Sequence, residues 1–354
     1  MKELEIFFRK LLLKLLILLN RAEKKQGKLN LTKDSKILFV RLNRIGDALV
    51  TTPLIYAVKK EIGCKVYILA DSKNYFVFNS PRLADEILIF EKGFLPLWDL
   101  IKRVNNLKFD AVIDLHDDVS TTVSYLLAYI KVPNKVGLQK ESSKLYSQTV
   151  PKLDPVTNHV VDRVMNLSKV FNMNGYDEEI NIRYFPEANA YKKADTFISN
   201  NYPGKKFLVG INISAGSEAR FWGIENFRNL VDMLKNYPVD VLLLSSTRDL
   251  HHAMQICHDR KKIFYSPSFD EFTGMISRID LLFSPDTATI HLASIYKKPV
   301  FGLYVQYNTE DIIWYPYKSD YEVVVTKDPN LDNVTFESVT RKFIPFLEKQ
   351  LKNK

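Results

Sequence analysis

The chain has 354 residues, of which 46% are hydrophobic, so it can bury the cores of two globular domains. A net charge of +9 favours a polyanionic partner such as nucleic acid, an anionic membrane or a phosphorylated substrate. Cys64 and Cys257 are the only two cysteines and stand far apart in the sequence, so they form no Cys-x-x-Cys motif, and we expect a reducing compartment and no zinc or redox pair.

The first predicted element is an amphipathic helix within residues 1–30. Its longest apolar run, residues 15–19, is far shorter than the ~20 residues that cross a bilayer, and no small-residue cleavage site follows. One stripe of the helix carries Glu3, Lys10, Lys14 and Arg21, and the opposite stripe carries Leu4, Phe8, Leu11, Leu15 and Leu18. Two interpretations stay open: residues 1–25 contact an anionic membrane surface, or the helix packs against the protein itself or a partner chain.

Short apolar segments then alternate with helical segments through residues 31–185. The predicted strands are residues 37–42, 65–70, 86–90 and 111–115. Most are apolar throughout, which is typical of parallel strands covered on both faces. We therefore expect a Rossmann-like, doubly wound domain over residues 31–185.

A polar turn follows the first strand and leads into a helix with Asp47 in its first turn, where the helix dipole favours an ionised carboxylate. Ligands of open α/β sheets bind beyond the carboxyl ends of the strands, so Asp47 is a candidate functional residue. The alternative is an ordinary N-cap, a common use of Asp.

The strand and helix pattern restarts in the second half of the chain. Its predicted strands are residues 207–213, 239–244, 262–265, 280–284 and 299–304. They predict a second Rossmann-like domain over residues 195–330, followed by an amphipathic helix within residues 331–354. A cleft between the two domains is the expected ligand site.

The turn after residues 207–213 contains Ser214, Gly216 and Ser217, with Arg220 close behind. Hydroxyls, a glycine that lets backbone N–H groups approach, and a guanidinium that bonds phosphate at two points together describe an anion pocket.

A second polar turn follows residues 280–284. Asp286, Thr287 and Ala288 open a helix whose first N–H groups can hold a diphosphate. His291 lies one turn into that helix, where it is either a packed residue or a donor to the bound anion.

Together these segments resemble glycosyltransferase family 9, the ADP-heptose:lipopolysaccharide heptosyltransferases, from about residue 37 to residue 317. The similar stretches are Arg41-Leu-x-x-Ile-Gly-Asp47-x-x-x-Thr51-x-Pro53, Phe109-Asp-Ala-Val-Ile-Asp-Leu-His116, Lys135-Val-Gly137, His159-x-x-Asp162-Arg163-x-x-Asn166-Leu and Asp286-Thr-x-x-x-His291-x-Ala293. The last stretch is the most specific of them.

The resemblance implies a GT-B type fold, with two Rossmann-like domains facing a cleft. It also implies inverting transfer of a heptose from ADP-heptose to a lipid-linked lipopolysaccharide or lipooligosaccharide core, without a metal or other cofactor. The enzyme is then expected in the cytoplasm, peripheral on the inner face of the cytoplasmic membrane.

The resemblance also assigns roles to residues. Asp47 is the expected general base. The expected acceptor-side residues are Arg41, Asn43, Thr51 and His116. The expected nucleotide-sugar residues are Ser214, Gly216, Ser217, Arg220, Asp249, Asp286, Thr287, Ala288 and His291.

The departures from the family pattern fall in the second domain. Ala288 stands where the family usually has Gly, and Arg220 replaces the usual Lys. The segment Ser245-Ser-Thr-Arg-Asp249 replaces a small-residue turn with an acidic group for the ribose. Asp249 takes that role from a shifted position, or Arg248 reads a different nucleotide, so the donor is the least determined part of the assignment.

The sequence also allows other functions, which its residues favour less. Asp114, His116, Asp117 and Asp118 could form a metal site, which we do not expect because Arg220 and a helix N-terminus can neutralise the phosphates. Nucleic-acid binding is not expected because the chain lacks a recognisable binding module. A different nucleotide sugar, and a catalytically silent relative that binds nucleotide sugar, stay open.

Overall fold

The computed structural model describes residues 2–173 and 179–353, except for the side chains of residues 2–10. The chain forms two compact units, Met1–Arg183 and Tyr184–Lys354. Each unit contains one six-stranded sheet in which every pair of neighbouring strands is parallel. The predicted fold class, two doubly wound α/β domains, is confirmed.

Unit 1 begins with a helix and then alternates strands and helices. Its elements are α1 (Lys2–Leu19), β1 (Lys36–Val40), α2 (Ile45–Leu49), α3 (Thr52–Ile62), β2 (Lys65–Asp71), β3 (Glu86–Phe90), α4 (Phe94–Leu107), β4 (Ala111–Asp114), α5 (Thr121–Tyr129), β5 (Asn134–Leu138), β6 (Gln148–Val150) and α6 (Val160–Met165). The strand order in its sheet is β3-β2-β1-β4-β5-β6.

Unit 2 repeats the same plan. Its elements are α7 (Ala188–Asn201), β7 (Phe207–Asn212), α8 (Ile224–Leu234), β8 (Val239–Ser245), α9 (Leu250–Ile256), β9 (Ile263–Tyr265), α10 (Phe269–Ile276), β10 (Leu281–Pro285), α11 (Ala288–Ile295), β11 (Val300–Val305), β12 (Tyr321–Thr326) and α12 (Phe336–Lys352). The strand order is β12-β11-β10-β7-β8-β9.

The order in which the strands are added reverses at an equivalent place in both sheets. The reversal lies between β1 and β4 in unit 1 and between β7 and β10 in unit 2. The crevice beyond the carboxyl ends of such a strand pair is where doubly wound sheets bind ligands. The polar turns after β1, β7 and β10, which the sequence singles out, therefore lie at the two reversal points.

The predicted strands are confirmed, with ends shifted by up to two residues, but β5, β6 and β12 were not among them. Two of these, β6 and β12, are edge strands, and β6 has only three residues. An edge strand has a neighbour on one side only, so the long buried apolar run that marks a central strand is not required there.

Helix α1 packs against unit 1 with one stripe and exposes another. Leu16 and Ile17 are buried, and Ile17 belongs to an apolar cluster that also includes residues of α5. Leu11, Leu15 and Leu18, from the predicted apolar stripe, are exposed. Within the described residues, no helix is long and apolar enough to span a membrane.

Candidate functional site

The turn after β1 brings Arg41 and Asp47 together. The Arg41 guanidinium donates to Oδ1 of Asp47 at 2.5 Å and to the Asp47 carbonyl at 3.0 Å. Arg41 is 4% exposed and Asp47 is 21% exposed, so the carboxylate reaches solvent while its partner is buried. Because the guanidinium bonds both the backbone carbonyl and a carboxylate oxygen of Asp47, it holds the carboxylate in place.

The N-cap interpretation of Asp47 is wrong. Helix α2 begins at Ile45, its N-cap is Arg44, and Asp47 is the third helical residue. The carboxylate is therefore in the first turn, close to the positive end of the helix dipole, as predicted.

Several backbone contacts fix the position of this turn. Arg41 also donates to the Leu115 carbonyl at 2.9 Å, and Asn74 donates to the Arg41 carbonyl at 3.1 Å. Asn43 has φ of 92°, a left-handed conformation that Asn tolerates better than most residues, and its N–H donates to Asp71. The turn is thus tied to the ends of both β2 and β4.

A buried charge network lies beside the turn, at the carboxyl end of β4. Nδ1 of His116 is 2.6 Å from Oδ1 of Asp114, and Nε2 accepts the Leu42 N–H at 3.2 Å. Lys140 and Tyr146 donate to Oδ2 of Asp114 at 2.8 and 2.6 Å. Since Nε2 accepts a hydrogen bond, Nδ1 is the nitrogen that carries the proton and donates to Asp114.

The electrostatics of this network follow from its burial. Burial alone raises the pKa of the Asp114 carboxyl, but the adjacent Lys140 ammonium and His116 outweigh it and hold that pKa well below its usual range. Burial lowers the pKa of His116, and Asp114 opposes this only in part. The network therefore combines an ionised Asp114, its partner Lys140 and a neutral imidazole that accepts a backbone N–H of the β1–α2 turn.

The carboxylates considered as metal ligands are paired with cations. Asp117 lies 3.1 Å from Arg163, and both Asp117 and Asp118 lie 3.4 Å from Lys152. Throughout residues 2–173 and 179–353, no three His, Cys, Asp or Glu side chains are grouped so that they could hold a metal ion. The carboxylates of this segment therefore belong to an ion-pair network.

The four acceptor-side candidates differ in accessibility. Asn43 is exposed and Asp47 is half-buried. Arg41 and His116 are buried and contact the turn through hydrogen bonds to its backbone. Thr51 is fully buried, and its hydroxyl donates to the Ala48 carbonyl at 2.7 Å. Thr51 thus stabilises the junction of α2 and α3.

In unit 2, Asn212 at the end of β7 connects the two polar turns. Its side-chain amide donates to the Ser214 carbonyl at 3.1 Å, to Oγ of Ser284 at 2.9 Å and to Oγ1 of Thr287 at 3.3 Å. Its Oδ1 accepts the Ser214 N–H at 3.2 Å. The amide of Asn212 therefore fixes the turn after β7 against the turn after β10.

Arg220 lies at the N-terminus of α11. Its guanidinium is 3.2 Å from the Asp286 carboxylate and 3.2 Å from the Asp286 carbonyl. Thr287 is the N-cap of α11, with its hydroxyl accepting the Thr289 N–H, and Ala288 is the first helical residue. Arg220, Asp286, Thr287 and Ala288 are all partly exposed, so a cation and a helix N-terminus face solvent together. This combination attracts an anion.

His291 lies one turn into α11, as predicted, and is 3% exposed. Its ring centroid is 6.1 Å from that of Trp314. The side chain is packed within unit 2, so its position agrees with the packed interpretation of this residue.

Asp249 is held at the carboxyl end of β8. Oγ of Ser246 donates to it at 2.8 Å and Nε of Arg248 at 3.0 Å, while the Ser246 N–H donates to Oγ of Ser214 at 2.7 Å. Burial alone raises the pKa of Asp249, but these hydrogen bonds, with Arg248 foremost, lower it below its usual value. Arg248 also donates to the Ala215 carbonyl at 2.9 Å, which joins the β8 turn to the β7 turn.

The structure thus brings most of the unit 2 candidates to one edge of the sheet. Gly216 and Ser217 are exposed in the β7 turn, and no atom lies within 4 Å of a Cβ built on Gly216. Sequence reasoning missed Asn212, Lys140 and Tyr146. The available signal was the position of Asn212 at a strand end and of Lys140 just beyond one, but their partners lie far away in sequence.

Comparisons with known proteins identify the family of the chain. The model of glycosyltransferase family 9 (heptosyltransferase) matches residues 97–343. The lipopolysaccharide core heptosyltransferase OpsX of Haemophilus influenzae is 27% identical over 227 residues, which are 61% of this chain and 62% of that protein, less than two thirds of its length. The putative lipopolysaccharide heptosyltransferase 4 of Escherichia coli is 21% identical over 312 residues, 84% of this chain and 83% of that protein.

Solved structures show the same fold. A family 9 glycosyl transferase from Veillonella parvula has a TM-score of 0.75 at 19% identity, over 92% of this chain and 99% of that chain. The E. coli heptosyltransferase WaaC, solved with ADP, has a TM-score of 0.66 at 16% identity, over 89% of this chain and 99% of that chain.

Proposed function

Since the chain belongs to glycosyltransferase family 9, the heptosyltransferases, we propose that it transfers a heptose from ADP-heptose to a lipopolysaccharide or lipooligosaccharide core. The transfer is inverting and uses no metal ion or other cofactor. The names of the two curated relatives support lipopolysaccharide heptose transfer as the general activity.

The observation that carries the proposal is the anion site of unit 2. Arg220, the N-terminus of α11 and the serine turn after β7 meet where the strand order reverses. A diphosphate bound there gains charge-assisted hydrogen bonds and the helix dipole, both of which strengthen as negative charge develops on the leaving group. These groups supply the neutralisation that a divalent metal gives in other enzymes.

Asp47 of unit 1 is the proposed base. Its carboxylate accepts the proton of an acceptor hydroxyl while the hydroxyl oxygen forms a bond to the anomeric carbon of the heptose. The bond from that carbon to the diphosphate breaks at the same time, and ADP leaves with the electron pair. A single displacement of this kind inverts the anomeric configuration. Arg41 holds the carboxylate in its orientation.

We place the enzyme in the cytoplasm, on the inner face of the cytoplasmic membrane, where a lipid-linked acceptor is available. The exposed leucine stripe of α1 supports this placement, with Lys14 and Arg21 exposed on the same segment. Leucines that enter the interface and cations that meet anionic head groups are the features of an interfacial helix.

The donor nucleotide is the part of the proposal that most needs measurement. Calorimetry should compare ADP-heptose with UDP-, GDP- and other ADP-sugars, and we expect ADP-heptose to bind most tightly. A strong preference for another nucleotide would mean that the donor is a different nucleotide sugar, while the fold and the proposed mechanism would stay the same. Arg248, which spans the β7 and β8 turns, is then the residue to substitute next.

Substitution of the anion site tests its assignment. Arg220→Ala should weaken donor binding by about 10- to 100-fold, because a charge-assisted bond to phosphate contributes roughly 1.5–3 kcal/mol. Asp286→Ala should also weaken it, since Asp286 holds the guanidinium. The matched control is Arg228→Ala, which removes a guanidinium bonded to Glu225 and to the Gln255 carbonyl. Unchanged affinity in both site variants would place the donor elsewhere.

Transfer itself must be shown, because a silent relative would bind the donor equally well. Mass spectrometry of a heptose-free core acceptor, incubated with donor and enzyme, should reveal one added heptose. Tight donor binding without any product would support the silent alternative.

A further inference from the structure

Three helices of unit 1 pack on one apolar cluster. The cluster contains Ile17 of α1, Leu100, Ile101 and Val104 of α4, and Val123, Leu126 and Leu127 of α5. Helix α5 contacts both α1 and α4. The three helices therefore form one layer, with α5 next to each of the others.

The outer surface of this layer is unusually apolar at α4 and α5. Phe94 is 80% exposed, Leu95 is 71% exposed, and Trp98 and Tyr129 are also exposed. The rings of Trp98 and Tyr129 are 6.2 Å apart and meet edge to face, which joins the two helices across the surface. We call these four residues the α4–α5 patch. Single exposed apolar residues are ordinary, but a group of neighbouring residues with three aromatic side chains indicates an interaction surface.

Exposed lysines border the patch. Lys92 precedes α4, Lys102 lies one turn after Trp98, and Lys131 follows Tyr129 by two residues. Two exposed acidic residues lie among them, Glu91 next to Lys92 and Asp99 at 3.4 Å from Lys102, so the cations exceed the anions by one. At a membrane surface, amphipathic aromatic rings lie at the level of the lipid head groups and lysines contact anionic lipids. The aromatic residues and lysines of this surface have that arrangement.

Helix α1 continues this surface on the other side of α5. It exposes Leu11, Leu12, Leu15, Leu18 and Leu19. Its packing stripe is turned toward the shared cluster, so the exposed leucines lie on the solvent side of the same layer.

We propose that the α4–α5 patch and the exposed leucines of α1 form one surface that binds an anionic lipid bilayer. The inference deepens the membrane part of the proposed function and rests on it for the identity of the occupant. It differs from that part in assigning some of the contact to α4 and α5 as well as to α1.

Vesicle binding by the full chain tests the patch. The probe is vesicles of equimolar phosphatidylcholine and phosphatidylglycerol, compared with phosphatidylcholine alone, in co-sedimentation without donor or acceptor. The triple variant Phe94→Ser, Leu95→Ser, Trp98→Ser should lower partitioning to the anionic vesicles by about tenfold or more, since each substitution removes apolar area that lipid would cover. The matched control is Val156→Ser with Met254→Ser, two similarly exposed apolar residues outside the layer, which should bind as wild type does.

Fluorescence gives a second readout that a general loss of solubility cannot imitate. Lipids brominated in the acyl chain should quench part of the protein's tryptophan emission, and the Trp98→Phe variant should lose that part. The other two tryptophans lie in unit 2, Trp222 buried and Trp314 half-buried, and their emission provides the background that stays in the Trp98→Phe variant.

Several results would overturn the inference. Wild-type binding by the triple variant would exclude the patch, and equal binding to neutral vesicles would exclude the anionic preference. A concentration-dependent dimer that the triple variant abolishes, without vesicle binding by wild type, would make a second copy the occupant. Transfer to a soluble, lipid-free acceptor should be normal in the triple variant, so a failure of the proposed function is recognised separately.

Discussion

The substitution Asp47→Asn separates chemistry from stability. It keeps the shape of the side chain and removes its charge and its ability to take a proton. The free energy of unfolding that the substitution removes follows from the ion pair with Arg41. The Arg41 side chain is 4% exposed and the Asp47 side chain is 21% exposed. Exchanging a charge-assisted hydrogen bond for a neutral one costs about 1–2 kcal/mol, and a change of that size lowers Tm by about 2–8 °C in a unit of this length.

The effect on rate should be much larger than the effect on folding. Loss of a general base lowers turnover by roughly 10²–10⁴-fold, which is about 2.7–5.5 kcal/mol in the activation barrier. A domain with about 5–15 kcal/mol of stability is still almost entirely folded after losing 2 kcal/mol, so partial unfolding cannot account for such a loss. The assay is initial-rate transfer at saturating donor, with Tm and donor affinity measured on the same preparation.

The matched control is Asp85→Asn, which also neutralises a paired carboxylate. Asp85 is 2.6 Å from Lys59 and accepts the Val66 N–H at 2.8 Å, near the amino end of β2 and away from the strand ends that carry the site. We expect its Tm to fall and its turnover to stay normal. If Asp47→Asn turns over at near the wild-type rate, or if Asp85→Asn loses as much, Asp47 is not the base.

Three further predictions concern stability and reactivity. Gly137→Ala should destabilise unit 1 by about 1–3 kcal/mol in denaturant titration, because its Cβ would lie 2.6 Å from the Tyr146 ring, whereas Gly216→Ala, which meets no neighbour, should be neutral. The native pKa of Asp114 lies below its unfolded value, so its stabilising effect is present above about pH 4 and is lost as the pH falls below that. Unfolding measured between about pH 3 and 5 should accordingly show a shallower pH dependence in Asp114→Asn than in wild type, and an equally steep one would contradict the assignment. Burial raises the pKa of the Cys64 thiol to about 11, so iodoacetamide should modify it far more slowly than the chain's other cysteine, as peptide mapping would show.

The sequence by itself determined the architecture and pointed to the candidate site residues. Continuous apolar runs separated by helices indicate buried parallel strands, because a strand covered on both faces has no polar side. Polar turns after such strands fall at the carboxyl edge of the sheet, where ligands bind. Asp47, Arg220 and Asp286 were found in this way, since each stands in a turn or first helical residues after a strand that local pattern already predicts.

Only the tertiary structure decided which of these residues contact each other. Arg41 was expected on the acceptor side, and the structure shows that it is the buried partner of Asp47 and donates to the Leu115 carbonyl, 74 positions away at the end of β4. Asn212 joins two turns through Ser284, which lies 72 positions further along the chain. Periodicity reports which face of a segment is buried, and it contains no information on which strands become neighbours. The strand order of the folded sheet decides which strands are neighbours. It therefore also decides which side chains become the partners of each buried charge at the site.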